Sequence, residues 1–564
     1  MGGINTYYMP ETKEIKITVL DFPPRYFPRL TSVAEALSQF YPNPLESPII
    51  AAYVNHLATS LSYRLDIEAT LIPITINSRE GVNIYRRSLC FLLAFAAKRL
   101  FPTRRLIIGH SLGKGYYYEF DGCSEVAEED LHHLKSVMQE LVNQNLPIRR
   151  FHLGLLEAID YFRKAGETDT ARLLEYRSEA KVPVSACAEF LDLFHGPLVS
   201  STKYLSVFEL YKYSSGFILR YPPIETPLKL APFEDNPLLF SIYREHKRWG
   251  KILKINCIGL LNEKISSGQS KDFIEVAEAL HEKKIAEIAD QISQRFSPNY
   301  LVLIAGPSSS GKTTFAKKLS IQLKVLGYQP LAISLDDYYL PRLETPRDEE
   351  GNFDFESLYA LDLVRLNQDL LKLMTEGKAS LPQYDFVHGI RKAEEKQITL
   401  GENAIIILEG IHGLNDELTA LIKAERKFKI YVSALTQLNL DDHNRIPTTD
   451  IRLLRRIVRD NRFRGHSALA TLKMWPSVRR GEDQHIFPFQ NNADAAFNSS
   501  LDYELSVLKV YVEPLLKTIK PDVPEYAEAQ RLLSFLNNVV PLAPTWVPAQ
   551  SILREFIGES SFSY

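Results

Sequence analysis

The chain changes its hydrophobic rhythm three times. Near the start, "IKITVL" (15–20) and "ATLIPI" (69–74) place apolar residues at alternate positions, as a half-buried strand does, around the helix-spaced "SVAEALSQFY" (32–41). A small α+β unit over 14–77 is predicted. From "NIYRRSLCFLLAFAAKRLFP" (83–102) to about residue 230, helical stretches mix with the aromatic strand "GYYYEF" (115–120) and with "FELYKYSSGFILRY" (208–221). The Pro-rich stretch 221–237 reads as a linker, and 272–295 as a helical segment. Beyond it, apolar runs at 300–305, 330–335, 404–408 and 427–433 alternate with helical patterns. That alternation predicts an α/β domain, a parallel sheet with helices on both faces, whose ligands collect at the carboxyl ends of the strands. No internal repeat or low-complexity tract interrupts these patterns.

Composition narrows the class. At about 100–200 residues per domain, 564 residues correspond to about three to five domains. A hydrophobic fraction of 45% and a charged fraction of 24% describe an ordinary soluble globular protein, and a net charge of −3 argues against a general nucleic-acid binder. Cys90, Cys123, Cys187 and Cys257 lie far apart with no C-x-x-C pair, against a zinc site or disulfide framework and for a reducing cytoplasm. No apolar run suits a membrane span, and no signal peptide is indicated. The opening "MGGINT" matches a loose N-myristoylation pattern.

The chemistry concentrates at "GPSSSGKTT" (306–314). Gly306, Gly311, Lys312 and Thr313 fit G-x-x-x-x-G-K-S/T, between the apolar "YLVLIA" and the helix-spaced "TFAKKLSIQLKVLG". In such a loop, glycines let backbone N–H groups turn to phosphates at a helix N-terminus. Gly306, Ser308, Ser309, Ser310, Gly311, Lys312, Thr313 and Thr314 are therefore the expected nucleotide contacts. Lys312 would reach the outer phosphates, and the Thr313 hydroxyl would ligate Mg²⁺.

Acids stand where the next strands should end. "LAISLDDYYL" closes in Asp336 and Asp337, and "AIIILEGIHG" in Glu409, positions suited to holding Mg²⁺ or taking a proton from an attacking hydroxyl. Downstream, "DIRLLRRIVRDNRFRG" (450–465) carries Arg452, Arg455, Arg456, Arg459, Arg462 and Arg464, several of them on one helical face. A charge run is usually a solvated face, but after the fourth strand of a phosphate-loop fold it suits a lid that stabilises a transferring phosphoryl group.

Together "GPSSSGKTTF", "SLDDYY", "NFDF", "LPQYDFVHGIRK", "LEGIHG" and "RRIVRD" resemble, in order and approximate spacing, the uridine kinase and phosphoribulokinase family over roughly 290–515. The resemblance implies ATP-dependent phosphorylation of a small-molecule hydroxyl, most often on a nucleoside of the uridine or cytidine kind. Carried onto this chain, it makes Asp336 the catalytic base, Glu409 the acid near the metal, and Arg456, Arg459 and Arg464 the basic lid. Asp354, Tyr384 and Phe386 fall at sugar and base contacts, with His388 and Arg391 beside them. Uridine kinases carry a His after "YDF-x-x"; here that place is Gly389 and His388 precedes it, which leaves base specificity open.

The front half resembles another family. "IKITVLDFPPRYFPRLTSVAEAL" and "AAYVNHLATSLSYRLDIEATLIPI" look like the β-grasp TGS domain of threonyl-tRNA synthetases. "RRSLCFLLAFAAKRLFP", "GYYYEFD" and "LDLFHGPLVS" are similar to the second, editing domain of those enzymes. Editing there depends on H-x-x-x-H and C-x-x-x-H, whereas Arg87, Phe91, Phe95, Phe194 and Leu198 stand near those places here. Deacylation is expected to be lost, and His110 and His195 to be structural.

The expected organisation is a TGS-like domain (1–78), an editing-like domain (79–230), a linker and helical segment (231–289), the kinase-like domain (290–515) and a C-terminal extension (516–564), as in a group of bacterial uridine kinase-like nucleoside kinases. The expected cofactors are ATP and Mg²⁺. The expected partners are a nucleoside-like acceptor and weak RNA contact through the front half, with no membrane and with oligomerisation left open. A nucleotide-regulated tRNA- or ribosome-binding protein is the alternative, disfavoured by Asp336, since a switch needs no base. A GTPase is disfavoured because no N/T-K-x-D guanine signature occurs.

Overall fold

The computed structural model describes residues 14–43, 46–296, 300–348, 351–385 and 388–563. The "MGGINT" pattern and Phe386 lie outside them. The chain divides into two compact units: Met1–Asp235 with Asn439–Arg445 and Ile519–Asn538, and Asn236–Leu438 with Ile446–Thr518 and Val539–Tyr564.

The first unit begins with β1 (Glu14–Val19), β2 (Arg25–Pro28), α1 (Val33–Phe40), β3 (Ile49–Val54), β4 (Leu57–Ser60) and β5 (Ala69–Thr75). The alternation seen in the sequence sends Ile15, Ile17 and Val19 inward, where Val33, Leu37 and Phe40 of α1 meet them. Ser32 caps α1 and Glu35 answers it, closing a capping box. The sheet order is β2-β1-β5-β3-β4, with β1 and β5 parallel, as in a β-grasp domain.

Next come α2 (Arg79–Leu100), β6 (Leu106–Leu112), β7 (Gly115–Phe120), α3 (Glu128–Asn143), β8 (Arg149–Gly154), α4 (Leu155–Lys164), α5 (Thr168–Leu174), β9 (Lys181–Cys187), β10 (Phe190–Asp192), β11 (Glu209–Tyr213) and β12 (Gly216–Arg220). Apolar on nearly every side, α2 is buried along most of its length against α3 and the sheet β11-β12-β7-β6. The run "FELYKYSSGFILRY" is a hairpin, and "GYYYEF" is β7 over the predicted residues.

The second unit opens with α6 (Pro237–Leu253), α7 (Ile258–Ser266) and α8 (Ser270–Arg295). Its sheet is built by β13 (Tyr300–Ala305), β14 (Gln329–Ser334), β19 (Ala404–Glu409), β20 (Lys427–Ser433) and β21 (Ala495–Asn498), the small antiparallel pairs β15 to β18 falling within 378–399. All five strands are parallel, in the order β14-β19-β13-β20-β21. Both faces are covered by helices, so β13 is buried at every position, the reason its sequence is continuously apolar. On one face α10 (Leu363–Glu376) sets Leu366, Leu370 and Leu373 over Leu301, Leu303, Ile406 and Leu408. α9 (Lys312–Val325) follows β13 directly through the phosphate loop.

The four predicted strands are present and a fifth joins them. β21 is only four residues, "AAFN", too short to stand out by period. β14 ends at Ser334; the predicted strand end carrying Asp336 and Asp337 is instead a 3₁₀ turn, Leu335–Tyr338, because the Ser334 hydroxyl caps the Asp336 N–H at 3.2 Å. The helices α11 (Thr448–Phe463), α12 (Ala468–His485), α13 (Glu504–Leu516) and α15 (Arg554–Ile557) complete this unit, while α14 (Tyr526–Leu536) belongs to the first.

Candidate functional site

The loop between β13 and α9 is held by close approach. A Cβ on Gly306 would stand 1.9 Å from the Val432 carbonyl oxygen, so only glycine fits there. Gly311 caps α9 in the left-handed region at φ 82°, and Ser309 adopts φ 58°. The Ser309 and Ser310 hydroxyls are buried without a hydrogen-bond partner. Such oxygens, at the N-terminus of a 14-residue helix, suit an anionic ligand.

Around the loop the sheet gathers charge. Thr313 Oγ1 donates to both carboxylate oxygens of Glu409, at 3.2 and 3.3 Å, on neighbouring β19. Burial pushes the Glu409 carboxyl up to about 7, with Lys312 opposing the rise. Lys312 Nζ donates to the Pro307 carbonyl at 3.3 Å, and burial lowers its ammonium against the pull of Glu409, Asp336 and Glu555. Asp336 is solvent-exposed, yet its carboxyl sits among enough protein to be raised above the usual range by desolvation, with Lys312, Arg464 and Arg459 pulling it down and Asp337 pushing it up. A hydroxyl plus a carboxylate at the loop is a donor set for a hard divalent cation, and Asp336 is the acid open to an incoming hydroxyl.

The arginine run divides by role. Arg452 and Arg455 are fully buried, their Nε and Nη1 donating to the Ser308 and Ser309 carbonyls at 2.9 and 3.4 Å. They brace the loop from below rather than forming a lid. Glu482 pairs with Arg452 and also accepts from the Ser308 N–H at 3.1 Å, and Glu504 accepts from Arg455 at 2.6 Å. Arg456 donates to the Ser308 hydroxyl at 2.7 Å. With Arg459 and Arg464 it converges on the fully buried Asp460, at 3.2, 2.9 and 3.7 Å respectively. Arg462 instead lies over the Tyr511 ring, 5.3 Å from its centroid.

The expected acceptor contacts are only partly gathered here. Asp354 stands 3.8 Å from His485 and accepts from the Glu356 N–H at 3.1 Å. Burial raises the Glu356 carboxyl, with Arg456 and Lys312 lowering it and Asp354 and Asp336 raising it, so Glu356 is within electrostatic reach of the loop lysine and of Asp336. Tyr384 is buried; its N–H donates to Asp337 at 3.2 Å and its hydroxyl to the Leu340 carbonyl at 3.2 Å. His388 pairs with Asp385 at 2.7 Å, and Arg391 with Asp362 at 2.9 Å. Thr314 gives its N–H and hydroxyl to Glu555, at 3.1 and 2.6 Å. Glu356 and Glu482 lie outside every motif of the sequence, while Asp460 closes "RRIVRD" and Glu555 sits in "SILREFIG" (551–558), where the sequence alone gives neither acid a role.

In the first unit the residues at the expected editing positions form a packed aromatic knot. Phe91 meets Phe194 at 5.5 Å and Phe190 at 5.1 Å, Phe95 stacks on Phe190 at 5.2 Å, and Leu198 is buried. Arg87 donates to the Pro197 carbonyl at 2.9 Å. Burial pulls the imidazoles of His110 and His195 down to about 3, with Arg445 acting on the first and Arg177, Arg150 and Arg87 on the second.

Residues 301–506 match the family described as Phosphoribulokinase / Uridine kinase. The N-terminal region matches threonine–tRNA ligases: that of Carboxydothermus hydrogenoformans is 32% identical over 194 residues, 34% of this chain and 30% of the relative. The Methylococcus capsulatus ligase is 33% identical over 189 residues, 33% of this chain and 29% of the relative. The chain thus spans about a third of the length of these curated relatives. Among solved structures, a possible uridine kinase from Bacillus stearothermophilus is 20% identical with a TM-score of 0.27, covering 38% of this chain and 98% of that one. The D-glycerate 3-kinase of Cryptococcus neoformans is 16% identical with a TM-score of 0.20, covering 50% and 90%.

Proposed function

From a chain that carries a phosphoribulokinase / uridine kinase family domain at residues 301–506, we infer that the protein is an ATP-dependent kinase acting on the hydroxyl of a small, nucleoside-like acceptor. The observation that carries this reading is the meeting of Lys312, Asp336 and Glu409 in one electrostatic neighbourhood at the carboxyl end of the sheet. The backbone of 306–314 and Lys312 would hold the nucleotide phosphates, and Thr313 with Glu409 would hold Mg²⁺. When bound, Mg·ATP supplies the phosphoryl group and the charge that neutralises it. Asp336 orients the acceptor hydroxyl and takes its proton. Arg456, Arg459 and Arg464, held in register by Asp460, face the charge that spreads over the transferring group. Asp354, Tyr384 and Phe386 are the proposed acceptor contacts, with His388 and Arg391 at the rim.

The threonine–tRNA ligase match supports weak RNA contact through the front half, but no deacylation, since Phe91, Phe95, Phe194 and Leu198 offer no nucleophile, base or metal ligand. Among the described residues no helix is long and apolar enough to cross a membrane. We read the enzyme as cytoplasmic, in line with four cysteines that form no disulfide. A panel of nucleosides, sugars and small alcohols with ATP and Mg²⁺, read by product mass spectrometry, tests the reading. One acceptor should gain a phosphate with the wild type and none with Lys312→Ala; a panel with no phosphorylated product counts against kinase activity.

A further inference from the structure

Away from the kinase cleft, three ligating side chains from distant stretches of the sequence converge inside the first unit. Glu167 directly precedes α5, Asp192 ends β10, and His443 belongs to Asn439–Arg445, the segment that joins this unit from between β20 and α11. One ligand atom of each lies within 4.8 Å of the other two. All three are removed from solvent: Glu167 is 6% exposed, Asp192 1%, and the His443 side chain 10%.

The hydrogen bonds around them are unevenly shared. Arg105 answers Asp442 at 2.6 Å and Asp169 at 2.9 Å, and Arg172 adds a second bond to Asp169 at 3.1 Å. Asp441 accepts from Asn444 and from the N–H groups of His443 and Asn444. Lys98 spends its ammonium on the Ala165 carbonyl at 2.6 Å. His443 Nδ1 stands 2.7 Å from Asp192 Oδ2, while Asp192 Oδ1 takes the Leu193 N–H. Glu167 Oε2 alone of this group is buried with no hydrogen-bond partner. A carboxylate oxygen is thus sealed from water beside a His–Asp pair with no hydrogen bond to satisfy it, and a ligand there would offset the cost of its burial.

We propose that Glu167, Asp192 and His443 form a binding site for one divalent first-row transition-metal ion, with Zn²⁺ and Mn²⁺ as the fitting cases. Two carboxylates and one imidazole suit these ions, whereas Ca²⁺ asks for six or more oxygens. Ligand atoms about 2.0–2.2 Å from a tetrahedral ion stand about 3.3–3.6 Å apart, so the three ligand atoms, all within 4.8 Å of one another, would close on an ion while the 2.7 Å His443–Asp192 pair opens and exchanges its hydrogen bond for the metal. Around the site, Asn444 ties the His443 segment to the Leu193 carbonyl at 2.7 Å, fixing the approach of the imidazole. The ion would act as a staple, joining the 439–445 segment to α5 and β10.

The full-length chain, stripped with chelator and free of nucleotide, should bind one Zn²⁺ or Mn²⁺ per chain by calorimetry and elemental analysis. The near-isosteric Glu167→Gln, and separately His443→Asn, should weaken that binding at least about 10-fold, while Glu402→Gln, at an exposed acid outside both sites, leaves it unchanged. Saturating metal should raise the Tm of the wild type and not that of Glu167→Gln. Absence of stoichiometric binding of either ion, or binding by Glu167→Gln as tight as by the wild type, overturns the site. Should His443→Asn fail to fold, Glu167→Gln decides alone.

Discussion

The Glu555 carboxylate accepts two hydrogen bonds from Thr314, one from its N–H at 3.1 Å and one from its hydroxyl at 2.6 Å. An acid from α15, within the last dozen residues, thus caps the first turn of α9, where the helix dipole and free N–H groups favour an anion. It uses donors that a phosphate would otherwise claim and adds a negative charge beside Lys312. Glu555→Ala is therefore expected to tighten nucleotide binding about 3- to 10-fold, the effect of about 1 kcal/mol from one charge at a helix N-terminus. Titration with a fluorescent ATP analogue checks this. Weaker binding in the variant would instead mean that Glu555 orders the loop.

Arg452 and Glu482 form an ion pair sealed beneath the phosphate loop. Removing one partner of a buried pair strands the other charge, which costs about 3–5 kcal/mol. Glu482→Ala should accordingly lower stability by that order in urea denaturation. Arg452→Met with Glu482→Leu should recover much of it while still impairing turnover, because the loop loses its hold at Ser308. If the double variant regains full activity, the pair has no part in shaping the loop.

How much of this was readable in advance depended on how local each signal is. β13 and β19 are nearly continuous apolar runs, β14 and β20 have apolar centres between polar ends, and the glycines and lysine of the loop sit in one nine-residue word, so both sheet and loop stand out in the sequence. Glu482 and Glu555 reach the same loop from 174 and 241 residues away, and no hydrophobic period connects them to it. The arginine run was legible as charge but not as two roles, because helical spacing alone does not say that Arg452 and Arg455 face the interior while Arg462 lies on a tyrosine. The aromatic replacement of the editing positions was visible, whereas the partner ring Phe190, which completes the knot, was not.

His195 gives a pH dependence with a definite sign. Burial, with Arg177, Arg150 and Arg87 facing it, holds its imidazole neutral down to about 3, while the unfolded chain protonates near 6.5. Between those values the unfolded state binds the extra proton, so the stability His195 contributes is full above pH 6.5 and is lost as pH falls. His195→Leu should lose less stability on acidification, by about 2–4 °C of Tm per pH unit between 6.5 and 4. Thermal melts across that range measure the difference in slope. Parallel slopes would mean that the imidazole already titrates normally in the folded protein.

Asp336 separates a kinase from a nucleotide switch. It shares a 3₁₀ turn with Asp337, yet the two acids have different surroundings: Asp337 accepts the Tyr384 N–H at 3.2 Å, while Asp336 stays open in the cleft under the influence of Lys312, Arg464 and Arg459. If Asp336 takes the acceptor's proton, Asp336→Asn keeps the shape and loses the basicity. Nucleotide binding should then be almost intact while kcat falls by about 10²–10⁴, the usual loss for a general base. An effect confined to kcat reports an interaction made in the transition state. Asp337→Asn is the internal control; its side chain still accepts the Tyr384 N–H through an amide oxygen, so kcat should change by less than about 10-fold. Equal losses in the two variants, or an Asp336→Asn defect seen mainly in Mg·ATP binding, would move Asp336 from base to metal ligand and leave the hydroxyl's proton to Glu356, another raised carboxyl within electrostatic reach of Lys312.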